Sequence, residues 1–256
     1  MAKALLFCLL LMLIVITAEA ADPALVIYLP LDEGKGDTVK DGSGNENDGE
    51  LQDGPKWVDG KFGKALEFGN RNRVHIPASK SLHGNIFIDE FTLLAWIKPI
   101  AGGNEWGHIW RSVDGADATQ CTLFYNSGGF LSWRGRLGGG WGERCVTPGG
   151  MINADEWAHG AVVGDKAEFK IYINGEEAAT APFVEMDGDI TDYYLGFDNR
   201  QWAEWFTGAI DEVYILTRAM TADEIKSALN GPMTQIISVR PAGKLAATWG
   251  YVKGNW

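Results

Sequence analysis

Lys166-Ala167-Glu168-Phe169-Lys170-Ile171-Tyr172-Ile173-Asn174-Gly175 is the stretch that decides the fold class. Ala167, Phe169, Ile171 and Ile173 share one face of an extended chain, the period of two that marks a half-buried strand. Asn174-Gly175 is the strongest short hairpin signal, because both residues accept the positive φ of a tight turn. Glu176 to Thr180 returns as the partner strand. The same grammar recurs outward from this hairpin. Ala24 to Leu31 is β-branched and aromatic and stops at Asp32-Glu33-Gly34. Arg73 to Ile76 is a short strand ended by Pro77. Phe91 to Ile100 is apolar on both faces, as in a central strand covered on both sides. Phe206 to Leu216 is the last long strand. Thr221 to Leu229 is the one helix: Thr221 caps it, Glu224 completes a capping box, and Asn230-Gly231-Pro232 stops it. Short strands with a single late helix predict a β-sandwich of two packed sheets.

Composition agrees. The chain has 256 residues, a length that suits one large domain with small appendages. Its hydrophobic content of 46% excludes wholesale disorder, and 33 Gly with 11 Trp favour a turn-rich β protein. Lys and Arg number 22 against 34 Asp and Glu, and the net charge of −12 argues against nucleic acid or an anionic membrane as partner.

The first twenty residues read as a signal peptide. Lys3 precedes the apolar run Leu5 to Ile16, which is too short to span a bilayer, and Ala18-Glu19-Ala20 has the small-x-small form of a cleavage site. The expected organisation is a signal peptide over 1–20, a folded domain over 21–231 and a tail over 232–256. The tail is either an extra edge strand or an attachment segment. The protein is expected to be secreted, extracellular or periplasmic, with no membrane span after cleavage. Two cysteines remain, Cys121 and Cys145. An oxidising compartment allows a disulfide between them, worth about 3 kcal/mol by loop closure. The alternative is two separate buried thiols.

A series of short signatures carries a family resemblance. They are Tyr28-Leu29-Pro30-Leu31-Asp32-Glu33-Gly34, Asp41 to Gly49, Gly60-Lys61-Phe62-Gly63-Lys64-Ala65-Leu66-Glu67-Phe68, Phe91 to Pro99, Glu156-Trp157-Ala158-His159, Tyr172-Ile173-Asn174-Gly175, and Phe206 to Ile215 followed by Arg218-Ala219-Met220-Thr221. In this order they resemble the laminin-G-like, concanavalin A-like jelly-roll family in its bacterial exported form, over about residues 24 to 230. Residues 101 to 150 match least, which makes them the place for this chain's own specificity. The resemblance implies an all-β, two-sheet antiparallel jelly-roll sandwich, frequently a calcium ion, and binding of glycans or proteins.

Calcium takes six to eight hard oxygens. Asp41-Gly42-Ser43-Gly44-Asn45-Glu46-Asn47-Asp48 offers them, yet it is no EF-hand: Glu46 occupies the required Gly position and Gln52 the bidentate Glu position. The resemblance points instead to a distant partner, Asp211. Ile210, Val213 and Ile215 cannot share a face under strict alternation, so a bulge is expected near Asp211-Glu212, and bulges re-aim side chains. The expected structural calcium site is Asp41, Asn45, Asn47 and Asp211, stapling the first and last strands. The alternative is an Asx-rich turn.

Sugar rings stack on Trp and Tyr faces, with polar groups reading their hydroxyls. Trp133 shares a face with Leu131 and Leu137 and is expected to pack inward; Trp57, Trp96 and Trp157 fall in family signatures and are expected to be structural. Trp106, His108 and Trp110 form an alternating stripe expected to look outward. With Trp141, Trp202, Trp205 and Arg200, and with Arg134 as a second rim residue, they make the candidate ligand site; the alternative is that both faces of these strands are covered and the Trp residues merely pack. No catalytic constellation stands out. Glu185-Met186-Asp187-Gly188-Asp189 is the nearest approach to a glucanase carboxylate strand, and its Gly suggests a loop. His159 reads as a satisfied buried histidine. The function expected is a non-catalytic, calcium-stabilised carbohydrate-binding module. The second reading is a protein-protein adhesion or scaffold domain at the cell surface, and a glycan-active enzyme comes third.

Overall fold

A computed structural model describes residues 22–116, 118–138, 140–186, 188–197 and 204–233. Residues 1–21 and all but the first two residues of the tail lie outside the described residues. The strands run β1 Leu25–Leu29, β2 Thr38–Val39, β3 Gly49–Gln52, β4 Lys56–Asp59, β5 Lys64–Phe68, β6 Arg73–Pro77, β7 Phe91–Pro99 and β8 Trp106–Val113. They continue with β9 Thr119–Asn126, β10 Phe130–Leu137, β11 Gly140–Val146, β12 Ala158–Gly164, β13 Glu168–Ile173, β14 Glu176–Pro182, β15 Asp192–Leu195 and β16 Gly208–Leu216. One helix follows, α1 Ala222–Ser227, capped by Thr221 through the expected capping box with Glu224.

Two antiparallel sheets form. The first has the order β14-β13-β12-β7-β16-β5-β4, with β1 also paired to β16; the second is β11-β10-β9-β8-β15-β6-β3-β2. The jelly-roll sandwich is therefore as the sequence predicts. Phe169, Ile171 and Ile173 of β13 face the core, and β13 turns through Asn174 and Gly175, whose φ values of 52° and 80° fit a primed hairpin turn. Strand β7 is central and buried along almost its whole length, between β12 and β16. Between the sheets, Phe87, Phe91, Trp133 and Phe169 make a linked aromatic cluster. A second, smaller core lies on the outer face of the first sheet, where Ile225 of α1 covers Tyr28, Leu94, Ala161, Tyr172 and Tyr214.

Strand β16 pairs with β7 along one side. Along the other it has two partners in succession: Gly208 to Ile210 pair with β5, and Val213 to Leu216 pair with β1. The expected bulge sits at the changeover, with a register shift between Asp211 and Tyr214 and Glu212 at φ 51°. The two acidic side chains diverge. Asp211 Oδ2 accepts from the backbone N–H groups of Lys61 (2.8 Å) and Phe62 (3.0 Å) in the turn between β4 and β5. That turn comes so close that a Cβ on Gly60 would lie 2.7 Å from Asp211 Oδ2. Glu212 accepts from the hydroxyls of Tyr28 and Tyr214, whose rings stack at 4.3 Å.

The cysteines correct one expectation. Cys121 and Cys145 are free buried thiols. Cys121 lies on β9 opposite Gly135 and Cys145 on β11 opposite Trp133, so all of β10 stands between them. Two strand spacings, about 9–10 Å, exceed the reach of a disulfide, whose Cα atoms are seldom more than about 7 Å apart. Cys121 Sγ instead bonds Ser112 Oγ, and burial pushes the Cys145 thiol up to about 11.

Burial also pushes the Asp211 and Glu212 carboxyls up to about 7, against the pull of their hydrogen bonds. Both groups thus hold protons that the unfolded chain releases near pH 4. Their contribution to stability is whole below pH 4 and is lost as pH rises through 7. We expect the melting temperature to fall between pH 5 and 8. Glu212→Gln, which keeps an acceptor for the tyrosines, should remove roughly 3 kcal/mol of that pH dependence. Thermal melts of both proteins across this range check it.

Candidate functional site

Cross-strand pairing brings a row of chemically active side chains onto the outer face of the second sheet. In register from β11 to β2 the row is Glu143, Arg134, Thr122, Arg111, Tyr194, His75, Glu50 and Thr38. Their chain neighbours Trp133, Leu123, Trp110, Tyr193 and Val74 pack into the inter-sheet core, so alternation turns this row outward. Its first half comes from the span 101–150, where the family signatures are weakest.

Two partly exposed shoulders flank a buried middle. On the first, the Arg134 guanidinium lies 4.2 Å from the Trp106 ring and 4.8 Å from the Phe124 ring, and its Nη2 bonds Glu143 at 2.7 Å. Trp106 meets Phe124 and Phe130 edge-on. These contacts hold an aromatic face and a cation in fixed orientation. The middle holds His108, Arg111 and Thr122, all fully buried. His108 Nδ1 bonds Thr122 Oγ1 at 2.7 Å, its Nε2 lies 3.6 Å from Glu204, and Arg111 Nε donates to Thr119 Oγ1. On the second shoulder, Tyr194 stacks on His75 at 5.0 Å, and His75 Nε2 bonds Asp192 at 2.7 Å.

The predicted ligand residues divide. Trp106, His108 and Trp205 come together: His108 forms a parallel bridge with Trp205 and donates its backbone N–H to Glu204 O. Trp110 is a correction. A register shift between His108 and Trp110 breaks the alternation of β8 and turns Trp110 into the core, fully buried against Tyr193. Trp141 lies opposite Arg136 on the same outer face, two positions along from Arg134 and Glu143, at the far end of this shoulder from Trp106. Arg200 and Trp202 lie outside the described residues. Phe124, Phe130, Arg111, Tyr194 and His75 were missed. The alternation of β9 could have flagged Phe124 with Thr122, but no local signal places β15 between β6 and β8.

The predicted metal residues are engaged otherwise. Asp41 Oδ1 accepts from the N–H groups of Tyr28 and Ser43, and Oδ2 from Ser43 Oγ and Asn47 N–H. Asn45 and Asn47 donate their side-chain N–H groups to Leu25 O and Val26 O, and Asn47 Oδ1 accepts from Ser79. This is an Asx-rich turn laced to β1. Asp211 is held separately by the turn at Lys61 and Phe62. Its Oδ1 is buried without a hydrogen-bond partner among the described residues, and one oxygen is far from a calcium shell. No group of three or more His, Cys, Asp or Glu that could hold a metal occurs among the described residues. The residues present do not fit the expected ion.

His159 also departs from expectation. It is buried against Trp96, neither ring nitrogen has a hydrogen-bond partner among the described residues, and burial holds its pKa down to about 4. Glu185 and Asp189 line an open depression with Asn85 and Ile88, off any strand; Asp187 lies outside the described residues.

A family model described as the concanavalin A-like lectin/glucanases superfamily matches residues 68–226. A comparison with curated proteins found no match. Among solved structures, the binding domain of Paraclostridial Mosquitocidal Protein 1 is similar at TM-score 0.65 and 21% identity, covering 81% of this chain and 52% of that one. Domain 4 of AbnA, an extracellular arabinanase from Geobacillus stearothermophilus in complex with arabinotriose, gives 0.61 and 18%, covering 79% and 97%. The binding domain of botulinum neurotoxin DC in complex with rat synaptotagmin II gives 0.61 and 14%, covering 82% and 52%. The chain spans about half the length of the toxin domains it matches. No helix among the described residues is long and apolar enough to cross a membrane.

We expect melting temperature to be the same in calcium and in excess chelator. Asp41→Ala should lower stability by about 2 kcal/mol in both, because it strips acceptors from the turn over β1. Calorimetry of the two proteins with and without calcium checks it.

Proposed function

The chain belongs to the concanavalin A-like lectin/glucanases superfamily, and on that footing we propose that it is an exported, non-catalytic carbohydrate-binding module acting through the outer face of its second sheet. The observation that carries this reading is the Trp106–Arg134–Phe124 stack with Glu143 beside it. A sugar presents a weakly apolar ring face and a rim of hydroxyls. The stack supplies the complement: Trp106 stands half-buried on a rigid strand against the buried Phe124, with a cation and a carboxylate at its border. The arabinotriose complex of an accessory domain with this fold supports carbohydrate as the ligand class. The leader-like residues 1–20 support export.

The non-catalytic part of the reading rests on the carboxylates. Hydrolysis of a glycosidic bond takes two carboxyl groups about 5–10 Å apart across one substrate site. Asp211 and Glu212 are adjacent, buried and aimed apart; on the outer face Glu143 of β11 and Glu50 of β3 stand six strand positions apart, and Glu204 and Asp192 lie against His108 and His75. One observation favours protein binding as the second reading. Trp141 and Val146 are exposed large side chains on the edge strand β11, the kind of surface a protein partner covers. The neurotoxin domain bound to synaptotagmin II has the same fold.

Titration with arabinotriose and a panel of neutral and acidic oligosaccharides, followed by tryptophan fluorescence, tests the proposal. We expect quenching, and about tenfold weaker binding in Trp106→Ala and in Arg134→Ala with Trp141→Ala unaffected. Binding that depends on Trp141 and not on Trp106 would move the site to the β11 edge.

A further inference from the structure

At the β6 end of the same face lies a cleft of 430 Å³, lined by Asp53, Asn70, Arg71, Arg73 and Phe197. Its volume falls in the range of small-ligand sites, about 300–1,000 Å³. Arg73 stands two residues before His75 on β6 and so shares the outer face of the second sheet. It is held rigidly: Nε donates to Gln52 Oε1 at 2.7 Å, Nη1 pairs with Asp53 at 2.9 Å, and the guanidinium lies 4.5 Å over the Phe197 ring.

Arg71 is the unusual residue. The turn joining β5 to β6 closes through Asn72 N–H to Gly69 O, and both central residues are left-handed, Asn70 at φ 48° and Arg71 at φ 75°. Glycine or asparagine is at ease there, whereas a long side chain on Cβ is strained. Arg71 occupies the position nonetheless. It is exposed and makes no ion pair among the described residues. Asp53 balances Arg73, so Arg71 leaves the cleft with one net positive charge on a chain of net charge −12. Such a chain repels anions at long range, so selection for one must be made locally by directed contacts.

We propose that this cleft binds the anionic group, carboxylate or sulfate, of an acidic oligosaccharide whose neighbouring units lie along the outer face of the second sheet. The inference rests on the carbohydrate reading and narrows it to charged glycans. Arg71 supplies a free planar fork that matches two oxygens at once, and Arg73 with Phe197 provides a preorganised wall for the ring that carries them.

Arg71→Gly is the direct test, because it removes the guanidinium while relieving the left-handed strain, so folding is preserved or improved. The probes are a galacturonic acid tetramer for carboxylate, a κ-carrageenan tetramer for sulfate, and arabinotriose as the neutral control. The expected result has three parts. The native protein binds one acidic probe more tightly than arabinotriose, and does so less well as salt rises. Arg71→Gly loses about tenfold for that probe alone, with melting temperature unchanged or higher. Trp106→Ala loses affinity for every probe that binds. Which acidic probe binds identifies the group. Equal affinity of native and Arg71→Gly proteins for the acidic probes overturns the inference, and so does a native preference for arabinotriose. In either case a loss confined to Trp106→Ala leaves the face itself standing as the carbohydrate site.

Discussion

Two strands share one side of β16, and everything else in the sandwich is arranged around that fact. A straight strand cannot offer a continuous ladder to β5 and then to β1, because those two arrive from different parts of the chain. The bulge at Asp211 and Glu212 resolves the conflict. It breaks the ladder for the length of the changeover and spends the two freed side chains on the two incoming strands. Asp211 caps the turn that delivers β5, and Glu212 grips Tyr28 of β1. Burying two carboxyls is costly, and here burial raises both to about 7 while backbone N–H groups hold Asp211 Oδ2 and tyrosine hydroxyls hold Glu212. The first and last strands are therefore joined by their own backbone ladder and by this tyrosine–glutamate cluster.

Much of the scaffold was legible because each element announces itself locally. The β13–β14 hairpin follows from alternation and Asn174-Gly175, the helix from Thr221 and Glu224, and the bulge from the phase clash between Ile210 and Val213. What failed, failed by geometry across strands. Cys121 and Cys145 sit a modest distance apart in sequence, and nothing local says that β10 lies between them. Asp211 and Asp41 are both Asp residues beside turns, and nothing local shows that each is engaged by donors from a different segment.

The candidate site shows the same division. Trp106 and His108 were identified from their stripe, and the stripe then broke, because a shift of one residue in β8 sends Trp110 to the other side of the sheet. A period of two carries information only as far as the next bulge. The rest of the face is assembled from β15 and β6, which no sequence pattern places beside β8. Aromatic abundance points to a candidate face; the pairing scheme supplies its composition. An aromatic and cationic shoulder built from β8, β9 and β10 lies beside a histidine–tyrosine shoulder built from β6 and β15.

The pairing of Leu25 with Leu216 has a further consequence. Where the polypeptide enters the sandwich and where its last strand leaves are side by side, at one corner of one sheet. A unit with neighbouring entry and exit behaves like a bead on a loop of string: it can be set into a surface bend of a longer polypeptide without prying the host apart. It can also be cut at a distant turn and rejoined at that corner. The outer face of the second sheet belongs to the opposite layer from that attachment corner, so a host joined there would leave the proposed binding face turned away from it.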